Sequence, residues 1–177
     1  MKQMRPLPLF AALALAALPA GAQSGLGSSA LKGHDNRAPI DINAQRIEVR
    51  DLERQAIFTG DVAVSQGAMT LGAARIRVFY ERIGTDLEIR RLDADGGVKL
   101  TSPSERATAR YGVYDVNNRT LTFLGDVVLN RGESVLRGQR LVIDLDSGRS
   151  TLDGRASPDG RDAGGRVTGR FVLPPKR

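Results

Sequence analysis

The seven residues Phe58-Thr59-Gly60-Asp61-Val62-Ala63-Val64 return 65 positions later as Phe123-Leu124-Gly125-Asp126-Val127-Val128-Leu129. The register then holds without a gap. Gly67 matches Gly132, Leu71 matches Leu136, Arg75 matches Arg140, Ile76 matches Leu141 and Val78 matches Ile143. Two distant stretches that stay aligned this long are expected to fold alike. A repeat of this size implies stacked units, each too small to bury its own apolar face. Such a stack suits an elongated ligand better than a point-like catalytic centre.

A shorter period lies inside the long one. Arg precedes an apolar-x-apolar strand at Arg46, Arg75, Arg110 and Arg140, and a Gly step recurs at Gly60, Gly96, Gly125 and Gly154. The Gly spacings are 36, 29 and 29, so the unit is about thirty residues, or two to three strands with turns. An insertion at 101–105, whose Ser-Pro-Ser reads as a turn, accounts for the longer first spacing. Apolar residues fall at every second position through most of the chain, the mark of strands with one buried and one wet face. Gly67, Asn117-Asn118, Asp146-Ser147-Gly148 and Pro158-Asp159-Gly160 supply the breaks. Across each Gly-Asp step the parity is kept, so a strand that bends at Gly with its apolar face inward is expected. Bends at one level in successive strands would curl the sheet into a trough. A phosphate-cradling reading of Gly-Asp lacks the helix that would follow it.

The segment before this pattern is of another kind. Lys2 and Arg5 open it, Leu7 to Leu18 is almost all Leu and Ala, and Ala20-Gly21-Ala22 is a small-x-small cleavage site. That order is expected of a secretory signal peptide over 1–22, cut before Gln23. Residues 23–38, rich in Gly and Ser, read as a flexible leader. Residues 39–173 read as one β domain and 174–177 as a tail. The chain has no Cys and a single His, His34, which falls in the leader as a solvated bystander. An exported Cys-free chain must be held by apolar burial and a continuous ladder, and no metal or other cofactor is expected. The formal charge of +6 is mild, and clustered basic runs of the nucleic-acid-binding kind are absent. There is no Gly-x-Ser-x-Gly elbow. Asp144 and Asp146 read as turn carboxylates rather than a glycosidase pair. No enzyme is expected.

The Phe-x-Gly-Asp-Val-x-Val step, the Ala-x-x-Ile-x-Val and Arg-Leu-x-Ile strands, the signal segment and the Cys-free remainder resemble the OstA-like family. The likeness is to its lipopolysaccharide-transport members in the periplasm. It covers roughly Pro39 to Leu173, with departures at Gly96-Gly97-Val98 and Gly154-Arg155-Ala156. The resemblance implies an all-β fold, an open β-jelly roll or solenoid-like trough of stacked antiparallel strands. It further implies a periplasmic protein that carries lipopolysaccharide acyl chains in the trough. Such proteins join end to end and meet inner-membrane-anchored and outer-membrane components, contributing to outer-membrane assembly.

The residues expected to line the trough are Phe58, Val62, Val64, Leu71, Ile76, Val78, Val98, Leu100, Tyr111, Val113, Phe123, Val127, Leu129, Leu141, Ile143 and Leu145. Each taken singly reads more readily as plain core, and only the whole stripe points to a lining. The lining is mostly aliphatic, which suits flexible acyl chains. The four Arg residues have opposite parity and are expected outside as solvated residues, with contact to lipid phosphates at the trough rim as the alternative. The stretches 40–49 and 167–173 are the expected free edges, open to strand addition. Two alternatives stay open: a ligand-free structural β-solenoid that polymerises, and the inner-membrane-anchored partner of the same transport system.

Overall fold

The computed structural model describes residues 31, 34–35, 37–154 and 165–172. The signal segment, the cleavage site, most of the leader and the tail lie outside the described residues. Ten strands form one antiparallel sheet: β1 (Ile40–Asn43), β2 (Arg46–Arg50), β3 (Gln55–Gln66), β4 (Met69–Ile83), β5 (Asp86–Thr101), β6 (Glu105–Asp115), β7 (Thr120–Arg131), β8 (Ser134–Asp144), β9 (Ser150–Asp153) and β10 (Thr168–Arg170). The order is β1-β3-β4-β5-β6-β7-β8-β10, with β2 also on β3 and β9 also on β8. The expected all-β class and stacked antiparallel trough are found. Among the described residues no ladder joins the first strands to the last, so the sheet they form is open.

One line of bulges divides every long strand. Gly60-Asp61 oppose Ala74, Gly96-Gly97 oppose Arg110, and Gly125-Asp126 oppose Gln139, two residues against one each time. A two-against-one bulge sharpens twist and bends the strand. The backbone is left-handed at both members of each pair: φ is +83° and +44° at Gly60 and Asp61, +84° and +85° at Gly96 and Gly97, +79° and +50° at Gly125 and Asp126. Asp tolerates that conformation better than most residues, and Gly adopts it freely. Gly96-Gly97 is therefore the same bulge as Gly-Asp, which resolves the apparent departure of the third repeat. The first Gly also has no room for a side chain. A Cβ at Gly96 would stand 2.6 Å from the Ala74 Cβ.

The bulge line creates two limbs. Limb I holds 55–59 of β3, 75–83 of β4, 86–95 of β5, 111–115 of β6, 120–124 of β7 and 140–144 of β8, with β2 and β9 as its edges. Limb II holds 62–66, 69–73, 98–101, 105–109, 127–131 and 134–138 of the same strands, with β1 and β10 as its edges. The two sequence periods are thus the two sides of one feature. The Gly steps mark the bulge on β3, β5 and β7, while Arg110 is the single opposing residue on β6 and Arg75 and Arg140 follow the opposing residue on β4 and β8. Gly154, just past β9, sits at the same level, since Asp153 and Leu124 both pair Arg140.

The insertion is placed differently from the expectation. From Ala74 to Gly96 the chain takes 22 residues, whereas Gln139 to Gly154 takes 15. The extra length is the long β4–β5 hairpin around Gly84, not 101–105. That second segment is an ordinary tight turn, in which Ser102 N–H donates to the Glu105 carbonyl at 2.9 Å. Ser-Pro-Ser correctly signals a turn, but turn chemistry carries no information about where length has been added.

Candidate lipid-binding interior

The inner faces of the two limbs merge into one buried aliphatic cluster. Parity explains which side chains enter it. On β3, β5 and β7 the inward set stays on one parity through the bulge, as in Val62 and Val64, Leu92 through Leu100, and Leu121 through Leu129. On β4, β6 and β8 the single residue at the bulge flips it. Leu71 and Ala73 point inward before Ala74, and Ile76 and Val78 after it.

Of the sixteen expected lining residues, thirteen are inside. Val62, Val64, Leu71, Ile76, Val78, Val98, Leu100, Phe123, Val127, Leu129, Leu141, Ile143 and Leu145 are each 0–3 % exposed. Phe58 is partly buried and packs against this cluster. Tyr111 and Val113 are the correction. They lie on the outer face, Tyr111 at 55 % exposure, because the bulge at Arg110 reverses the parity set by Ala107 and Ala109. Gly112 and Tyr114 take the inward places. The Arg residues lie outside, as expected, and Arg110 and Arg140 pair with Asp126 and Asp153.

Sequence reasoning missed several inward residues. Met69 and Leu92 alternate correctly but stand in strands whose neighbours are polar. Ala107 and Ala109 are too small to signal burial. Tyr114 is hidden by the parity reversal, yet it is wholly buried and its hydroxyl donates to Gln66 Oε1 at 2.8 Å. Burial pushes the Tyr114 phenol up to about 12. Gln66 belongs to limb II and Tyr114 to limb I, so this bond ties the far ends of the limbs together. A second tie runs from Arg131 Nη2 to Ser150 Oγ at 3.2 Å. Arg131 Nε also lies 2.6 Å from Oε1 of the buried Glu105.

The stretch before β1 closes the same end. Leu31 is buried in the core cluster, His34 Nε2 lies 3.1 Å from Gln66 Oε1, and Gln66 Nε2 donates to the Ala38 carbonyl. His34 is therefore no bystander: it is half-buried against Gln66, a contact that composition alone could not reveal. Asp144 accepts the Ser147 N–H at 2.8 Å, which lowers its pKa, and Asp115 is lowered by the Asn118 N–H in the same way. Asp146 pairs with Arg119. These carboxylates build turns.

The two edges differ from the interior in exposure. Ile47 and Val49 of β2 pair with Phe58 and Ala56 and so share their inward face, yet they are 55 % and 56 % exposed. At the other end Val167 and Phe171 flank Gly169, which pairs with the inward Leu136, and both are exposed. The first edge is the expected one. The second is shared between β10 and the unexpected β9.

Residues 41–149 match the family described as LptA/(LptD N-terminal domain) LPS transport protein. The chain belongs to that family. An uncharacterized protein of Rhizobium meliloti (strain 1021) is 36 % identical over 85 % of this chain and 89 % of its own length. The LPS-assembly protein LptD of Yersinia enterocolitica is 27 % identical over 61 % of this chain, which spans only 13 % of that protein. Among solved structures, the fold is that of LptH of Pseudomonas aeruginosa, described as the LptA homologous periplasmic component of the conserved lipopolysaccharide transport device. The TM-score is 0.68, with 15 % identity, 79 % of this chain covered and 99 % of that one. The OstA-like, LptA-type resemblance read from the Gly-Asp-Val steps is thereby shown, and with it involvement in lipopolysaccharide transport.

Proposed function

We propose that this chain is a periplasmic carrier of lipopolysaccharide whose acyl chains lie along the inner faces of the two limbs. Through its free edges it links inner- to outer-membrane components and serves outer-membrane assembly. The observation that carries this reading is the unbroken aliphatic face crossing β3 to β8 in both limbs, in a member of a lipopolysaccharide-transport family. An acyl chain in water costs about 0.8 kcal/mol per CH₂, so a chain of about a dozen carbons needs a continuous lining. Val78, Leu129 and Ile143 supply parts of it from three strands.

The ends of the lining support the same reading. Ile47 and Val49 carry the inward face out to solvent at one edge, and Val167 and Phe171 do so at the other. Edge strands with unpaired backbone groups accept another strand, and two unlike edges build open, head-to-tail assemblies. The close burial of the interior means that the limbs must part for an acyl chain to enter. The side-chain ties Gln66–Tyr114 and Arg131–Ser150 are the contacts that parting would break.

That same close burial favours a second reading, a structural stack that polymerises without ligand. Photo-crosslinking separates the two. A photoreactive residue at Val78, Leu129 or Ile143, with outward-facing Arg77 and Asp144 as controls, is placed in cells making labelled lipopolysaccharide. Crosslinks at the inward set alone are the expected outcome. A folded, exported protein that crosslinks at none of these sites moves the reading to the ligand-free stack.

A further inference from the structure

We propose that the outer face of limb II is a docking surface for the anionic phospholipid headgroups of a membrane leaflet. Lys99 of β5, Arg106 of β6, Arg137 of β8 and Arg170 of β10 all point outward from this limb and are exposed. The register brings them together. Lys99 and Arg137 lie on one cross-strand row, through Thr108 and Val128, while Arg106 and Arg170 lie on the next, through Asn130 and Val135. Four ladder steps separate β5 from β10, about 19 Å, and the rows are about 7 Å apart. None of the four cations has an ion pair among the described residues.

Among the described residues, no carboxylate faces outward between β3 and β10 on this limb. Glu105 is turned inside against Arg131, Glu133 lies in the β7–β8 turn, and Asp41 is on the far edge strand β1. The remaining outward residues are uncharged, Thr101, Thr108, Val128, Asn130 and Val135 among them. They add no repulsion to an approaching phosphate layer, and the Thr hydroxyls can donate to it. Between β8 and β10, Arg137, Thr168 and Arg170 with Val135 and Gly169 also line a shallow concavity of about 350 Å³, wide enough for a headgroup. Limb I differs in that its outer cations are interleaved with acids and several are paired to them, as in Arg91–Asp93, Arg90–Glu81 and Arg140–Asp153. Complementary charge without an apolar wedge describes reversible attachment to an anionic bilayer surface rather than insertion.

The test is vesicle co-sedimentation of the full chain with phosphatidylcholine vesicles, with and without phosphatidylglycerol, at low and high salt. The N-terminal apolar segment is common to every variant, so only differences between variants are read. Binding that needs phosphatidylglycerol and fades with salt is expected. Arg106→Gln with Arg137→Gln should weaken it about 25-fold, at roughly fivefold per cation. Arg82→Gln with Arg91→Gln removes the same charge from limb I and should leave it near the wild-type value. Equal loss from both pairs would reduce the effect to net charge and overturn the proposal. Displacement by lipopolysaccharide micelles that depends on Arg106 and Arg137 would reassign the face to the cargo's phosphates. Retained salt-sensitive capture of an acidic protein, with no vesicle binding, would reject the lipid in favour of a protein partner.

Discussion

Limb I and limb II share their strands and one core, yet they differ in where their ion pairs lie. Limb I keeps its pairs outside: Arg90 with Glu81, Arg91 with Asp93 and Arg140 with Asp153. Among the described residues, limb II leaves its outer cations unpaired and turns one pair inward, Arg131 with Glu105, where the Glu105 side chain is 0 % exposed and the Arg131 side chain 20 %. The difference shows how one repeat serves two purposes. Exposed pairs contribute little to stability, because water screens them and side-chain entropy opposes them. A buried pair is costly to form and costlier to break, so it fixes geometry. In limb II that pair holds Arg131, which reaches Ser150 of the other limb, while the outer face stays positively charged.

Four outcomes break or sharpen this contrast. The largest is expected from Arg131→Met, which strands the Glu105 carboxylate inside. The loss should be about 3–5 kcal/mol in urea unfolding. A loss below the error of the measurement would mean that limb II does not depend on its inward pair.

The second concerns the tie between the limbs. The Tyr114 phenol, pushed up to about 12, keeps its proton in the folded state after an unfolded tyrosine near 10 has lost its own. The folded state then binds the extra proton, so stability is full below about pH 10 and falls as pH rises through 12. The loss amounts to about 2–3 kcal/mol. Tyr114→Phe should flatten this alkaline decline. An unchanged decline would assign it to other groups.

The third compares two glycines. Gly96→Ala meets both a left-handed backbone and the Ala74 Cβ, so about 2–3 kcal/mol should be lost. Gly132, in the β7–β8 turn, has φ +56° with nothing within 4 Å. Gly132→Ala should cost only about 1 kcal/mol. Equal thermal shifts would show that the bulge line is no more constrained than a turn. The smallest effect is expected from Arg119→Ala, which removes the exposed pair with Asp146 in a limb I turn, at under about 0.5 kcal/mol. A loss as large as that of Arg131→Met would erase the distinction between the limbs.

Much of the interior is legible in the sequence, because the thirteen expected residues found inside are large apolar side chains, twelve aliphatic and Phe123 aromatic, that alternate locally. Tyr111 and Val113 go wrong for one reason. Arg110 is the single residue opposite Gly96-Gly97, and nothing within β6 announces that its partner strand carries two. A parity reversal is a property of a pair of strands, so it is invisible in either one alone. His34 and Leu31 fail differently. Their partners are Gln66 and the core, more than thirty positions away, and a polar, Gly-rich neighbourhood conceals them.

By itself the sequence determined the repeat, the all-β class, the aliphatic inner face and the level at which strands bend. Each of these depends on residues close together in the chain: alternation for burial, Gly-Asp or Gly-Gly for a left-handed bulge. Only the tertiary structure decided the rest. It placed the extra length in the β4–β5 hairpin, turned Tyr114 inward in place of Tyr111, tied the limbs through Gln66 and Arg131, and gathered Lys99, Arg106, Arg137 and Arg170 on one face. Those outcomes depend on register between strands. Register is set by hydrogen bonds between residues far apart in the chain, and a shift of one residue sends every side chain to the other face.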